Sequence, residues 1–136
     1  MNEIERQAME YLLGGDHPWL GVLRAQLRTA AVVNRDLTGV GFFTEFRVPD
    51  WVARISPTRR MVIADVYAEV FGLQYPAGFA LFVKDGALST LECFIHDDAW
   101  PEAARINRFY YVRPKKPESC ELSETAERDV DWALKS

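Results

Sequence analysis

Cysteine and histidine are scarce in this chain, two of each in 136 residues, and the scarcity removes whole classes of chemistry. Cys93 and Cys120 have neither CxxC spacing nor a histidine cluster beside them, so both are read as reduced, structural thiols. His96 with Asp97 and Asp98 is an incomplete metal-ligand set and reads as a turn. No cofactor or metal is expected. Long apolar runs are missing too: Phe79 to Val83 stops at Lys84 and Asp85, far short of the roughly 20 residues that cross a bilayer. A basic excess is lacking, because 16 Lys and Arg against 20 Asp and Glu leave a net charge of -4, which disfavours sequence-independent binding to nucleic acid. The start, with Glu3, Glu5, Arg6 and Glu10, lacks the basic and apolar regions of an export signal, so a cytosolic protein is expected. No Ser, Cys or Thr stands in a nucleophile elbow. Thr38 to Phe42 lacks the third glycine and following helix of a dinucleotide fingerprint.

What is present is the composition of an ordered protein, 49% hydrophobic and 26% charged. A chain of 15.6 kDa buries about two-thirds of its extended surface on folding, enough for one core without staples. We expect a single domain over residues 1–113 and a linker plus C-terminal helix, 114–136, packed on it.

Asn2 and Glu5 form a capping-box signal, with Ile4, Ala8, Tyr11 and Leu12 at helical spacing before Gly14 and Gly15. Asp16 is the expected cap of a second helix that begins at His17-Pro18 and faces inward through Trp19 or Leu20, Leu23 and Leu27. The two make an αα-hairpin. Val32 to Leu37 and Phe42 to Val48 read as strands joined by a glycine turn, and Pro49 to Arg60 as a loop. Met61 to Val70 alternates, which predicts Val62, Ala64, Val66, Ala68 and Val70 on one side and Ile63, Asp65, Tyr67 and Glu69 on the other. Asp85-Gly86 predicts a two-residue hairpin turn between Phe79–Lys84 and Ala87–His96. One extra residue near Ser89 and Thr90 brings Leu88, Leu91, Cys93 and Ile95 inward together. Ile106 to Val112 is the expected last strand, and Ser123 the cap of a tail helix facing inward through Ala126, Val130, Ala133 and Leu134. The sum is an α+β fold, an αα-hairpin on a mainly antiparallel sheet of five or six strands with a C-terminal helix.

Gly39 to Phe46 reads GVGFFTEF, Leu81 to Glu92 reads LFVKDGALSTLE, and Trp100-Pro101 follows. In these motifs the middle of the chain resembles a family of small uncharacterised bacterial proteins, with the pattern GxGFFTxF, LFVxDGxLxxLE and a WP turn. The resemblance implies an α+β fold and no established enzyme activity. Similar hairpins occur among the immunity proteins that bacteria encode beside secreted toxins. This chain departs in having Cys93 where the pattern has glycine and in its C-terminal extension.

Alternation gathers Phe43, Glu45, Arg47, Asp65, Tyr67, Glu69, Phe82, Lys84, Glu92, Phe94 and His96 on one sheet face, opposite an apolar face that the helices must cover. Aromatics among acids are what interfaces use to anchor and steer. The candidate partner-binding set is Phe43, Glu45, Asp65, Tyr67, Glu69, Phe82, Glu92 and Phe94: Tyr67, Phe82 and Phe94 as anchors, the four acids as steering charges toward a basic surface. The plainer alternative is cross-strand pairing worth about 0.2–1 kcal/mol per pair. Self-association through the same face, giving a homodimer, is a second use. A hydrolase built on two of the carboxylates is a third, although it needs a cleft that a flat sheet does not supply. Arg54, Arg59 and Arg60, and Lys115 with Lys116, read as solvated loops.

Overall fold

The computed structural model describes residues 1–135. Two helices, α1 (Glu3–Leu12) and α2 (Pro18–Leu27), precede β1 (Ala31–Leu37), β2 (Gly41–Arg47), β3 (Met61–Val70), β4 (Ala77–Lys84), β5 (Ala87–Phe94), β6 (Ile106–Pro114) and β7 (Leu122–Thr125). A single turn, α3 (Val130–Ala133), follows. Every neighbouring pair is antiparallel in one sheet of order β1-β2-β5-β4-β3-β6-β7. The α+β architecture is as expected, with seven strands instead of five or six.

The capping box forms: the Asn2 side chain accepts from Glu5 N at 2.9 Å, and the Glu5 carboxylate accepts from Asn2 N at 2.8 Å. Such a cap is worth about 0.5–2 kcal/mol. Ala8, Met9 and Leu12 then face the sheet, with α1 over β3 and β6 and α2 over β5. The cap of α2 is His17, not Asp16; Pro18 at the first helical position keeps the preceding residue extended (φ -63°, ψ 135°), and Nδ1 of His17 accepts from Trp19 N. Asp85 (φ 52°) and Gly86 (φ 77°) both adopt the left-handed conformation that a two-residue hairpin turn requires. The β5 bulge falls at Ser89, between the pairs Phe82↔Thr90 and Val83↔Leu88, and Leu88, Leu91, Cys93 and Ile95 are buried together.

A second bulge overturns the expected alternation of β3. Ile63 pairs with Leu81 and Val66 with Phe79, so β3 spends three steps where β4 spends two. Met61, Ile63 and Asp65 therefore join Val66, Ala68 and Val70 under the helices, while Val62 and Ala64 move to the other side with Tyr67 and Glu69. Apolar residues occupy both alternations here, so hydrophobic pattern alone does not reveal the slip.

The tail also differs. Leu122–Thr125 is an edge strand on β6, so Ser123 lies within a strand and Ala126 is exposed; only Val130–Ala133 is helical, capped by Asp129. Pairing with β6 covers only the second half of β3, Val66 to Val70, and α3 packs against β3, burying Ala133 and Leu134. No helix of the described residues is long and apolar enough to cross a membrane.

Candidate functional site

The face of the sheet turned away from α1 and α2 is organised in rows set by register. One row runs Asn34, Glu45, Thr90, Phe82 and Val62; the next runs Asp36, Phe43, Glu92 and Ala80. A third joins Phe94, Gly78, Tyr67 and Tyr110.

That third row is aromatic because of Gly78. A Cβ at position 78 would stand 2.2 Å from the Phe94 ring, so only glycine lets the ring lie across β4 toward β3. Phe94 and Tyr67 meet edge to face at 6.3 Å, Tyr67 and Tyr110 stack at 6.2 Å, and His96 stands 6.3 Å beyond Phe94. Arg108 closes the other end, 4.7 Å over Tyr110. Its guanidinium donates to both Glu124 oxygens at 2.7 Å and to Glu69 at 3.0 Å. These bonds raise the Arg108 pKa and lower that of Glu124. Burial raises the hydroxyl pKa of Tyr67 and Tyr110 above the ordinary tyrosine value.

Two shallow depressions flank the row. One, of about 520 Å³, has Phe43 and Phe82 with Asp36 and Glu45 from one side and Arg60 and Lys84 from the other; Arg60 lies 5.0 Å over the Phe82 ring. The other, of about 320 Å³, is bordered by Tyr67, Phe94, Leu122 and Trp132, with Val62, Ala64 and Ala133.

Of the eight candidate residues, Phe43, Glu45, Tyr67, Glu69, Phe82, Glu92 and Phe94 share this open face. Asp65 does not. The β3 bulge turns it under the helices, where it is fully buried and accepts from Arg128 at 2.7 and 2.9 Å. Glu69 is on the face but engaged by Arg108, whereas Glu45 and Glu92 have no ion-pair partner among the described residues. Tyr110 and Arg108 were absent from the candidate set, although alternation along Ile106 to Val112 places them together. Trp132 and Leu122 carry no such signal, because their position follows from the tail pairing with β6.

The carboxylates under the helices are occupied. Burial alone would raise the pKa of Glu5, but hydrogen bonds from Arg35, Thr44 and Asn2 outweigh it and hold the group at about 2. Burial and the neighbouring Glu92 push the Cys93 thiol up, leaving it protonated and unreactive. Among the described residues no group of three or more His, Cys, Asp or Glu is placed to hold a metal ion. The open face thus offers aromatic surface, tyrosine hydroxyls and a few charges without an ion-pair partner among the described residues. Compared with protein-family models, curated proteins and solved structures, the chain matches none.

Proposed function

We propose that the chain is a non-enzymatic binding protein of the cytosol that holds a protein partner on the open face of its sheet. The observation that carries this reading is the glycine-supported row Phe94, Tyr67 and Tyr110 on a face that α1 and α2 leave uncovered. Partly exposed aromatics on a rigid scaffold lose little conformational entropy on binding and supply most of the energy in such interfaces. Phe43 and Phe82 extend the aromatic surface. Glu45 and Glu92 supply charge, but Arg60 and Lys84 stand nearby, so steering is weaker than a purely acidic face would give. Non-enzymatic action fits the buried carboxylates, because Glu5 and Asp65 are each engaged in an ion pair by an arginine. The resemblance to immunity-type proteins narrows the partner to a secreted toxin whose surface the chain would mask.

The test is affinity capture at low salt from the lysate of the source organism, comparing the wild type with a Tyr67→Ala, Glu92→Arg variant. Glu69 is left intact because reversing its charge would repel Arg108 and disturb the sheet. A partner retained by the wild type and lost by the folded variant is the expected result. Equal retention by both would overturn the assignment to this face.

Self-association has its own observation, on a different part of the sheet from the one expected. The edge strand β1 leaves Val33 45% and Leu37 78% exposed. The bulge at Val33 blunts that edge, and Leu37→Lys should abolish any concentration-dependent rise in mass measured by sedimentation.

A further inference from the structure

The larger depression of the open face, about 520 Å³, carries its acids, Asp36 and Glu45, on one margin and its bases, Arg60 and Lys84, on the other. Register fixes that order. The acids belong to β1 and β2, Lys84 belongs to β4, and Arg60 immediately precedes β3; β5 runs between the two signs. Thr90 of β5 is the midpoint, paired with Glu45 on one side and with Phe82 on the other. The signs separate along the strands as well. Asp36 pairs with Phe43, one row from Glu45 toward the end of β1, whereas Lys84 stands two residues past Phe82 toward the Asp85-Gly86 turn. Acids and bases therefore hold opposite corners, with Phe43 beside the acids and Phe82, under Arg60, beside the bases.

All four charged side chains are exposed, and none has an ion-pair partner among the described residues. Two strand spacings, about 10 Å, separate β2 from β4 and hold the signs apart. A partner surface basic throughout would be repelled by Arg60 and Lys84, and one acidic throughout by Asp36 and Glu45. A small zwitterion would stay largely open to water on so shallow a site, whereas ligand pockets enclose most of what they bind. What fits is a surface that presents both signs in the reverse order around an apolar centre. The chain's own face is such a surface.

We infer that this depression is the contact between two copies of the chain. A two-fold axis lying in the contact plane and passing over Thr90, across the line from acids to bases, turns one copy onto the other. Asp36 and Glu45 of each copy then come opposite Lys84 and Arg60 of the second, and Phe43 comes toward Phe82. Each pairing occurs twice, as an isologous contact requires. The inference goes beyond the partner reading, because Phe94, Tyr67 and Tyr110 do not line this depression.

The test is sedimentation equilibrium of the full chain at low salt, up to about 1 mM, the weak end of specific association. A rise from monomer to dimer mass is expected. Increasing the salt from about 0.05 to about 0.5 M should weaken the dimer several-fold, because exposed charges are screened. Two variants reverse one corner each: Asp36→Lys with Glu45→Lys, and Arg60→Glu with Lys84→Glu. Each alone sets like charges against each other twice and should weaken self-association by more than about tenfold. Mixed in equal amounts they restore every opposite-sign pair, so a dimer containing one copy of each should form. Where a double variant loses its native circular dichroism, Glu45→Lys and Lys84→Glu are mixed instead. Leu37→Lys distinguishes this contact from the β1 edge, whose reading expects that substitution to abolish self-association; Leu37 does not line the depression, and the dimer inferred here should survive it. A wild type that stays monomeric overturns the inference, as do folded reversal variants that fail to pair with each other. A dimer indifferent to the reversals and lost with Leu37→Lys overturns it too and assigns the contact to the β1 edge.

Discussion

The two faces of the sheet handle polar groups in opposite ways. Under the helices each buried polar side chain is saturated: Glu5 by Asn2, Arg35 and Thr44; Asp65 by Arg128; and Gln26 by Ala53 O, Gly86 O and Leu88 N. Arg128 also donates to Leu12 O and Gly14 O and stacks 4.9 Å from Tyr111, while Arg24 donates to Leu13 O and Gly15 O. Cations thus meet the carbonyl end of α1, whose own last turn contains no basic residue. On the open face Tyr67, Tyr110, Glu45 and Glu92 keep unspent hydrogen-bonding or charge capacity. Low dielectric explains the first pattern, because an unpaired polar group there is costly; contact with water explains the second, because it satisfies groups that the fold leaves unpaired.

Breaking the covered face should have the largest effect. Arg128→Ala leaves Asp65 buried without a counter-charge and is expected to cost about 3–5 kcal/mol in chemical denaturation. Asp65→Leu combined with Arg128→Met should recover the part of that loss due to the uncompensated charge, but not the part due to the bonds that Arg128 donates to Leu12 O and Gly14 O. Gln26→Ala orphans the Leu88 N–H and Ala53 O and leaves Gly86 O only its bond from Ile55 N, for about 1–3 kcal/mol by the same measurement. Gly78→Ala sharpens the comparison, because it forces the Phe94 ring off β4: a loss of about 1–3 kcal/mol together with the disappearance of the Phe94–Tyr67 contact by NMR.

Acid titration separates the faces further. The carboxyl of Glu5 sits at about 2 when folded against an ordinary 4.5, so its contribution to stability is complete above 4.5 and disappears as the pH falls toward 2. In Glu5→Gln the denaturation midpoint should lose that part of its dependence between about pH 5 and 2. Arg108→Ala, on the open face, should move the midpoint least of all, because its ion pairs are solvent-exposed and screened by salt.

Much of this was legible from local rules. The capping box at Asn2 and Glu5 and the turn at Asp85-Gly86 depend on neighbouring residues only. The Ser89 bulge follows from keeping Leu88 and Leu91 on one side, and seven of the eight candidate residues share the open face because period 2 holds along β2 and β4, along β5 beyond the Ser89 bulge and along β3 beyond its own bulge. Asp65 was misplaced because Met61 and Ile63 are as apolar as Val62 and Ala64, so either alternation of the first half of β3 looks apolar. The tail was misread as a longer helix because the Val130, Ala133 and Leu134 stripe says nothing about the affinity of Leu122 to Thr125 for the edge of β6.

The amino-acid sequence by itself determined the elements whose hydrogen bonds close within a few residues, together with the division into an apolar and a mixed face. Only the tertiary structure decided which groups are spent and which are free. Arg128 reaches Asp65 across 63 residues, and Gln26 reaches Leu88 across 62. Such pairs come together through the packing of helices and tail on the sheet, where burial selects whatever partner the fold brings within reach.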